Sequence, residues 1–250
     1  MKPETHIGAI FIAYNAERTL AKFYRDFPRS LVKTMILVDD ASADGTYELA
    51  KELGIQAYKN PTNLGYGGNM KRALQVAREL GMDVIIDLHP DGEYESSAIP
   101  AALREVENGC DFVLGNRFTS VLTPLRSGML FWKLMPIVAL NMFARFALNA
   151  KITDLHQGFR VYTRRMLDRI DCEGNSNGYL FSFELIAQAV FANLKIGQVP
   201  VKTHYSGKKR GVSLKHSVLY SLGVFKVVLL FLAAKLGFRS QLFRNVKKSK

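Results

Sequence analysis

Residues 35–46 read Met35-Ile36-Leu37-Val38-Asp39-Asp40-Ala41-Ser42-Ala43-Asp44-Gly45-Thr46. A four-residue apolar run closed by two acids reads as a short buried strand, Met35–Val38. The small and polar residues after it lead into a helix from about Thr46 to Leu53. Working outward, Ile7–Ala13 is a buried strand and Glu17–Phe27 a helix. Ile55–Tyr58 is a further strand, Asn63–Gly68 a Gly-rich loop and Asn69–Leu80 a helix. Val84–Leu88 is a strand ending at His89-Pro90-Asp91-Gly92, Ile99–Glu107 is helical and Phe112–Leu114 is a strand. This alternation predicts an α/β fold: a mostly parallel, Rossmann-like sheet with helices on both faces.

The 250 residues are enough for one large domain or two small ones. With 48% apolar and 22% charged residues, a disordered or collagen-like chain is excluded. The net charge of +12 is uneven: no acid follows Glu184, and residues 185–250 hold 13 Lys and Arg. A basic last quarter calls for an anionic partner, whether nucleic acid, a membrane surface or a phosphorylated substrate. Cys110 and Cys172 make neither a disulfide framework nor a zinc cluster and fit a reducing compartment. The apolar run Ile7–Tyr14 is too short for a signal peptide and no cleavage pattern follows it.

The second half changes character. Residues 129–148 are apolar and aromatic but interrupted by Lys133, Pro136, Asn141 and Arg145; residues 217–238 carry Lys226 and Lys235. Neither stretch offers the about 18–20 uncharged residues of a spanning helix. Amphipathic helices in a membrane interface fit these segments, with helices of a soluble core as the other reading. The expected division is a catalytic domain over 1–216 and an apolar helix with a basic tail over 217–250.

Ligands of an open parallel sheet bind beyond the carboxyl ends of its strands. Four such ends carry polar groups: Tyr14-Asn15, Asp39-Asp40, His89-Pro90-Asp91 and Gly115-Asn116-Arg117. Asp39 and Asp40 suit the imide of uracil, the N1–H and amino group of guanine, or ribose hydroxyls, whereas Ser42 and Asp44 read as helix caps. The Gly-rich segment fails both G-x-G-x-x-G, since Met70 stands at the third glycine, and G-x-x-x-x-G-K-[ST]. It is either a tight turn or a backbone approach to a nucleotide. Asp91, with His89 two residues before it, is placed to ligate Mg²⁺ or Mn²⁺ together with substrate phosphates. Lys208-Lys209-Arg210, flanked by glycines, reads as a mobile basic loop that closes over an anion.

As an ordered set these motifs resemble family 2 glycosyltransferases of the GT-A fold, in the dolichyl-phosphate sugar synthase-like branch. The matching pieces are Ala13-Tyr14-Asn15-Ala16-Glu17, Val38 to Thr46, Asn63 to Gly67, Leu114 to Arg117, Asp154 to Arg160 and Val199-Pro200-Val201. The resemblance implies inverting transfer of a sugar from a UDP- or GDP-linked donor with a divalent metal. It implies catalytic roles for Asp91, Arg117 and Asp154. It implies substrate contacts from Ala13, Tyr14, Asn15, Glu17, Asp39, Asp40, Gly65, Lys71, Arg117, Arg126, His156, Gln157, Lys208, Lys209 and Arg210. His89 stands where the family carries the first acid of its D-x-D, and it ligates Mn²⁺ better than Mg²⁺.

The acceptor is the second departure. Family members that glycosylate hydroxyls often open a late helix with a Glu-Asp pair; here Phe181-Ser182 stand there, with Glu184 two residues on. A hydroxyl needs a base because its pKa lies far above 7, whereas a phosphate monoester is already anionic. The expected acceptor is therefore a polyprenyl phosphate, met by a cytoplasmic enzyme lying peripherally on the inner face of an anionic membrane. The alternative is a hydroxyl of a soluble sugar or cell-surface glycan, with Glu184 as base. Nucleic acid is not an expected partner, because carboxylates at the strand ends repel phosphate unless a metal intervenes.

Overall fold

The computed structural model describes residues 4–118, 131–203 and 214–248. Seven strands form one sheet: β1 Ile7–Ala13, β2 Thr34–Asp39, β3 Gln56–Lys59, β4 Val84–Asp87, β5 Phe112–Asn116, β6 Arg160–Thr163 and β7 Ile196–Pro200. Their order is β3-β2-β1-β4-β6-β5-β7. β6 runs antiparallel between β4 and β5, and every other pairing is parallel. The expected fold is therefore present, with one reversed strand added. β6 and β7 escape a sequence reading because Arg160 sits in one, while Gly197, Gln198 and Pro200 dilute the other.

Both faces of the sheet are covered, which is why its central strands read as unbroken apolar runs. One layer holds α1 Glu17–Asp26, α2 Thr46–Glu52 and α4 Ile99–Glu107. Phe11 meets Phe23 and Phe27 there edge to face, at ring-centre distances of 5.0 and 5.1 Å. The other layer holds α3 Gly65–Glu79, α5 Phe131–Leu148, α7 Phe181–Phe191 and α8 Leu214–Lys235; the one-turn α6 Arg164–Leu167 follows β6. Alternate residues divide between the layers: Ile10, Ile12, Ile36 and Val38 face the second, and Ala9, Phe11, Ala13 and Leu37 the first.

α8 is apolar on two sides for two reasons. Val224, Val227, Val228 and Phe231 are buried in the core, while Val218, Leu222, Phe225, Leu229 and Leu232 are exposed. Residues His216–Lys235 form a helix long and apolar enough to cross a membrane by length and composition, so the expectation that neither late segment suffices does not hold for α8. α8 packs along α5, with the Phe143 and Phe225 rings 4.5 Å apart.

The basic tail is not a separate appendage. Leu242 and Phe243 are buried, and the Phe243 ring packs tilted against Phe191 at 5.0 Å and edge to face with Phe231 at 5.9 Å. Gln188 Nε2 donates to the Leu242 carbonyl at 2.7 Å, and the Lys247 amide to the Arg169 carbonyl at 2.9 Å. Residues 217–248 thus contribute to the same apolar core as the body. Phe243→Ala is expected to lower the unfolding free energy by about 3–5 kcal/mol in denaturant titration. Arg244→Gln, at an exposed position, should stay within about 0.5 kcal/mol.

Candidate active site

β1, β2, β4 and β5 are parallel, so their polar ends meet at one edge. The first two ends are clasped together. The Asn15 amide donates to Ser42 Oγ at 2.8 Å, and the Ala43 amide to Asn15 Oδ1 at 2.9 Å. The Gly45 amide donates to Glu17 Oε2 at 3.0 Å. Asn15 and Glu17 therefore build the shelf instead of reaching out of it, while the Tyr14 ring stands exposed beyond buried Ala13. Ser42 and Asp44 do not take the cap position of α2, which Gly45 holds. Ser42 Oγ donates to Asp39, and Asp44 accepts the Thr46 amide at 3.1 Å.

Asp39 and Asp40 are both buried but differ in their partners. Asp39 accepts the Ser42 amide and hydroxyl and lies 3.8 Å from Lys59 Nζ. Asp40 accepts from Asn60 Nδ2 at 2.9 Å, the Leu64 amide at 2.8 Å and the Gly65 amide at 3.0 Å. Its negative charge thus sits at the N-terminus of α3, where the helix dipole favours it. A carboxylate offers about four lone-pair sites, so these partners saturate neither residue.

The Gly-rich segment is the first turn of α3, not a loop. A Cβ on Gly67 would lie 2.2 Å from the Ser176 carbonyl oxygen, and the Gly67 amide donates to the Asn177 carbonyl at 2.7 Å. These glycines serve close helix–loop packing. Lys71 takes part in the same packing, its Nζ donating to the Glu173 carbonyl at 3.0 Å and Asn177 Oδ1 at 2.9 Å. Glu184 accepts the Ser176 amide at 2.6 Å, and burial raises its pKa. Lys71 and Glu184 thus both bond to the segment 173–177.

Asp87, at the end of β4, is the hub of a buried polar network. Tyr162 OH donates to its Oδ2 at 3.0 Å, Arg160 Nη1 lies 3.8 Å away, and His89 Nε2 is 3.5 Å from its Oδ1. Arg160 also donates to Tyr66 OH at 3.1 Å, as does Ser182 Oγ at 3.1 Å. Burial depresses the His89 pKa, but Asp87 outweighs it and the net shift is upward. His89 is thus drawn inward to Asp87. Asp91 stands exposed, with one oxygen accepting the Glu93 amide at 2.9 Å. No group of three or more His, Cys, Asp or Glu is assembled for a metal among the described residues. A lone exposed carboxylate fits an ion whose other ligands are substrate phosphates and water.

Arg117 and Asp154 form a buried fork. Arg117 Nε and Nη2 donate to the two Asp154 oxygens at 2.8 and 2.9 Å, and Nη2 also to the His156 carbonyl at 2.8 Å. Burial alone would raise the Asp154 pKa; the guanidinium overrides it and holds the carboxyl below its ordinary value. The fork of Arg117 is thus engaged with Asp154. His156 packs between Phe183 and Tyr220 and shares a 2.8 Å hydrogen bond with Tyr220 OH. Its Nε2, Arg160 Nε and both amide atoms of Gln157 are buried without a hydrogen-bond partner among the described residues. Such atoms are rare in native proteins and gather at functional sites. Arg126, Lys208, Lys209 and Arg210 lie outside the described residues.

Tyr162 and the roles of Tyr66 and Ser182 escape a site search by sequence, and Asp87, last of the Val84–Asp87 strand, reads there as a deep member of the acidic cluster 87–93. For Tyr66, Tyr162 and Ser182 the one signal is an aromatic or polar residue inside an otherwise apolar element, which a core reading absorbs equally well.

In a mostly parallel α/β sheet, the edge beyond the carboxyl ends of the strands, where these acids gather, is where ligands bind. Residues 9–171 match the family model for glycosyl transferase family 2, and the chain belongs to that family: it is a glycosyltransferase. It is 27% identical over 221 residues to polyprenol monophosphomannose synthase of Mycolicibacterium smegmatis, covering 84% of this chain and 78% of that one. It is 25% identical over 244 residues to UDP-N-acetylglucosamine–dolichyl-phosphate N-acetylglucosaminyltransferase of Methanococcus voltae, covering 88% and 96%. The fold superimposes on glucosyl-3-phosphoglycerate synthase of Mycobacterium tuberculosis, solved with Mn²⁺, UDP-glucose and glycerol 3-phosphate. The TM-score is 0.69 at 18% identity, over 96% of this chain and 83% of that one.

Burial lowers the His156 pKa from 6.5 to about 4. Between those values the unfolded chain binds a proton that the folded protein refuses. Stability therefore falls as pH drops through the window, and this group contributes nothing above it. His156→Gln should flatten the difference in urea stability between pH 7 and pH 4.5 by about 2–3 kcal/mol relative to the parent.

Proposed function

We propose that the protein transfers a sugar, with inversion, from a UDP- or GDP-linked donor to a polyprenyl phosphate at the inner face of a membrane. The observation that carries this reading is an exposed apolar face beside the site. On α8, Val218, Leu222, Phe225, Leu229 and Leu232, with Leu236 just past its end, recur every three or four residues and are all exposed. On α5, Met135, Met142 and Phe146, spaced by seven and four residues, are exposed too, Phe146 at 91%. Two packed helices bearing such a stripe exceed the scattered apolar exposure of ordinary soluble surfaces. Tyr220 of α8 reaches His156, so this face and the site share a helix. The two relatives, named for a polyprenol and a dolichyl-phosphate acceptor, support the same acceptor class.

The donor's nucleoside would lie on the clasped shelf, its base and ribose donating to Asp39 or Asp40. Asp91 would hold Mg²⁺ or Mn²⁺ through its exposed oxygen, with His89 supporting from the Asp87 side. Such an ion neutralises charge gathering on the leaving diphosphate. An acceptor phosphate oxygen would attack the anomeric carbon from the face opposite the diphosphate. No proton need be removed, in keeping with the opening of α7: Ser182 is bonded to Tyr66, and Glu184 is turned to Ser176.

Asp91→Asn is expected to cut turnover at least ~100-fold, about 2.7 kcal/mol in barrier, with an unchanged melting point. EDTA should do the same. Product should form with a short polyprenyl phosphate and not with the polyprenol; equal rates on both would overturn the acceptor. Leu222→Glu with Leu229→Glu, both at exposed positions, should abolish sedimentation with anionic vesicles while leaving the fold intact. Retained sedimentation would overturn the membrane face.

A further inference from the structure

A cleft of about 530 Å³ opens at the other edge of the molecule. Ile196, on its wall, begins β7, and β7 runs parallel to β5. The cleft therefore lies at the amino ends of the strands, away from the catalytic edge. The last turns of α5, α7 and α8 converge on it. Its floor is buried and apolar, with Leu148, Ile152, Leu194 and Phe231. Lys151 and Lys235 line it and are exposed, and none of its lining residues is acidic. The cleft has the size of a small-molecule pocket.

Three helix C-termini bring partial negative charge, each end worth roughly half an elementary charge. Here much of it is already answered. The Asn149 and Ala150 amides cap the Phe146 and Arg145 carbonyls. Those of Asn193 and Leu194 cap Val190 and Ala189, and those of Leu236 and Phe238 cap Leu232 and Ala233. Asn149 and Asn193 take the left-handed conformation at two of these ends, with φ of 50° and 57°. The two full charges of Lys151 and Lys235 remain on the rim. The Lys235 ammonium is held 5.5 Å from the Phe231 ring centre and 5.9 Å from that of Phe191, above the floor. The balance favours an anion with an apolar body.

We infer that this cleft binds an anionic glycerophospholipid, its phosphate between Lys151 and Lys235 and its chain along the Leu148–Ile152–Phe231 floor. The occupant follows from continuity. Phe146, Leu232, Leu236 and Phe238 are exposed at the same ends of α5 and α8, so the cleft adjoins the apolar face. The inference rests on the membrane reading of that face. It adds a second, non-catalytic grip at the far end of α8, about 22 Å along the helix from Tyr220. The enzyme would then lie flat, held at both ends of one helix.

The test uses the full chain and six-carbon phosphatidylglycerol below its micelle concentration, so no bilayer is involved. Hydrogen exchange should slow in residues 147–152 and 190–196. Phosphatidylcholine of the same chain length should need at least ten times the concentration, and inorganic phosphate should protect neither segment. Lys151→Ala with Lys235→Ala should weaken the phosphatidylglycerol effect at least tenfold. Equal protection by the two lipids, protection by phosphate alone, no protection, or an unaffected double variant would each overturn the site. Vesicle sedimentation through Leu222 and Leu229 reads the membrane face separately. Loss of the lipid cleft with vesicle binding intact would therefore sink this inference alone.

Discussion

A guanidinium buried to 2% exposure inside a sheet has to be neutralised where it lies, because an unpaired charge there costs several kcal/mol. Arg160 meets that requirement through β6. Reversing one strand makes Arg160 the register partner of Asp87, so the cation and its counterion face each other across two adjacent strands. From that pair the surroundings follow. Tyr162 and His89 turn to the same carboxylate, and Tyr66 brings α3 and, through Ser182, the start of α7 onto Arg160. Removing either charge would leave the other stranded, at a cost of about 3–5 kcal/mol.

The same reversal explains why residues 154–160 reach the site. To enter β6 antiparallel, the chain must arrive at the carboxyl edge, where Asp154 meets Arg117 at the end of β5. The loop is then pinned at both ends, by the Arg117 fork and by Arg160. The Gly158 amide, donating to Tyr94 OH at 2.9 Å, holds its middle. Rigid surroundings of this kind preorganise polar groups for charge that develops during reaction. The unpartnered atoms of His156 and Gln157 lie inside that frame.

The apolar helices serve both the core and the surface. α8 buries its valines against α7 and presents its leucines outward, while the tail folds back over Phe191. Basic residues gather around this layer, as Lys235 and Lys248 show by lying over Phe191. Charge asymmetry and apolar exposure thus fall on the same part of the molecule.

The sequence by itself determined the strands β1, β2, β4 and β5 and the edge at which their polar ends meet. Local apolar runs and the parallel rule are enough for that. It also determined the family, because Val38 to Thr46 and the motifs after it keep their order. Only the tertiary structure decided what each polar residue does. Asn15, Glu17, Gly65 and Lys71 carry the signature of a binding site, and the fold also bonds each of them to another segment of the chain. Lys71 is bonded to a partner 106 residues away. His89 and Asp91 have the same spacing as a ligand pair, yet one turns inward and the other stands exposed. Likewise the tail reads as basic surface, and the fold buries its Phe243 in the core. The physical reason is common to all of these. A backbone's local preference is a property of neighbouring residues. A polar side chain's role is set by which donors and acceptors the fold brings within about 3 Å of it, and those come from distant parts of the chain.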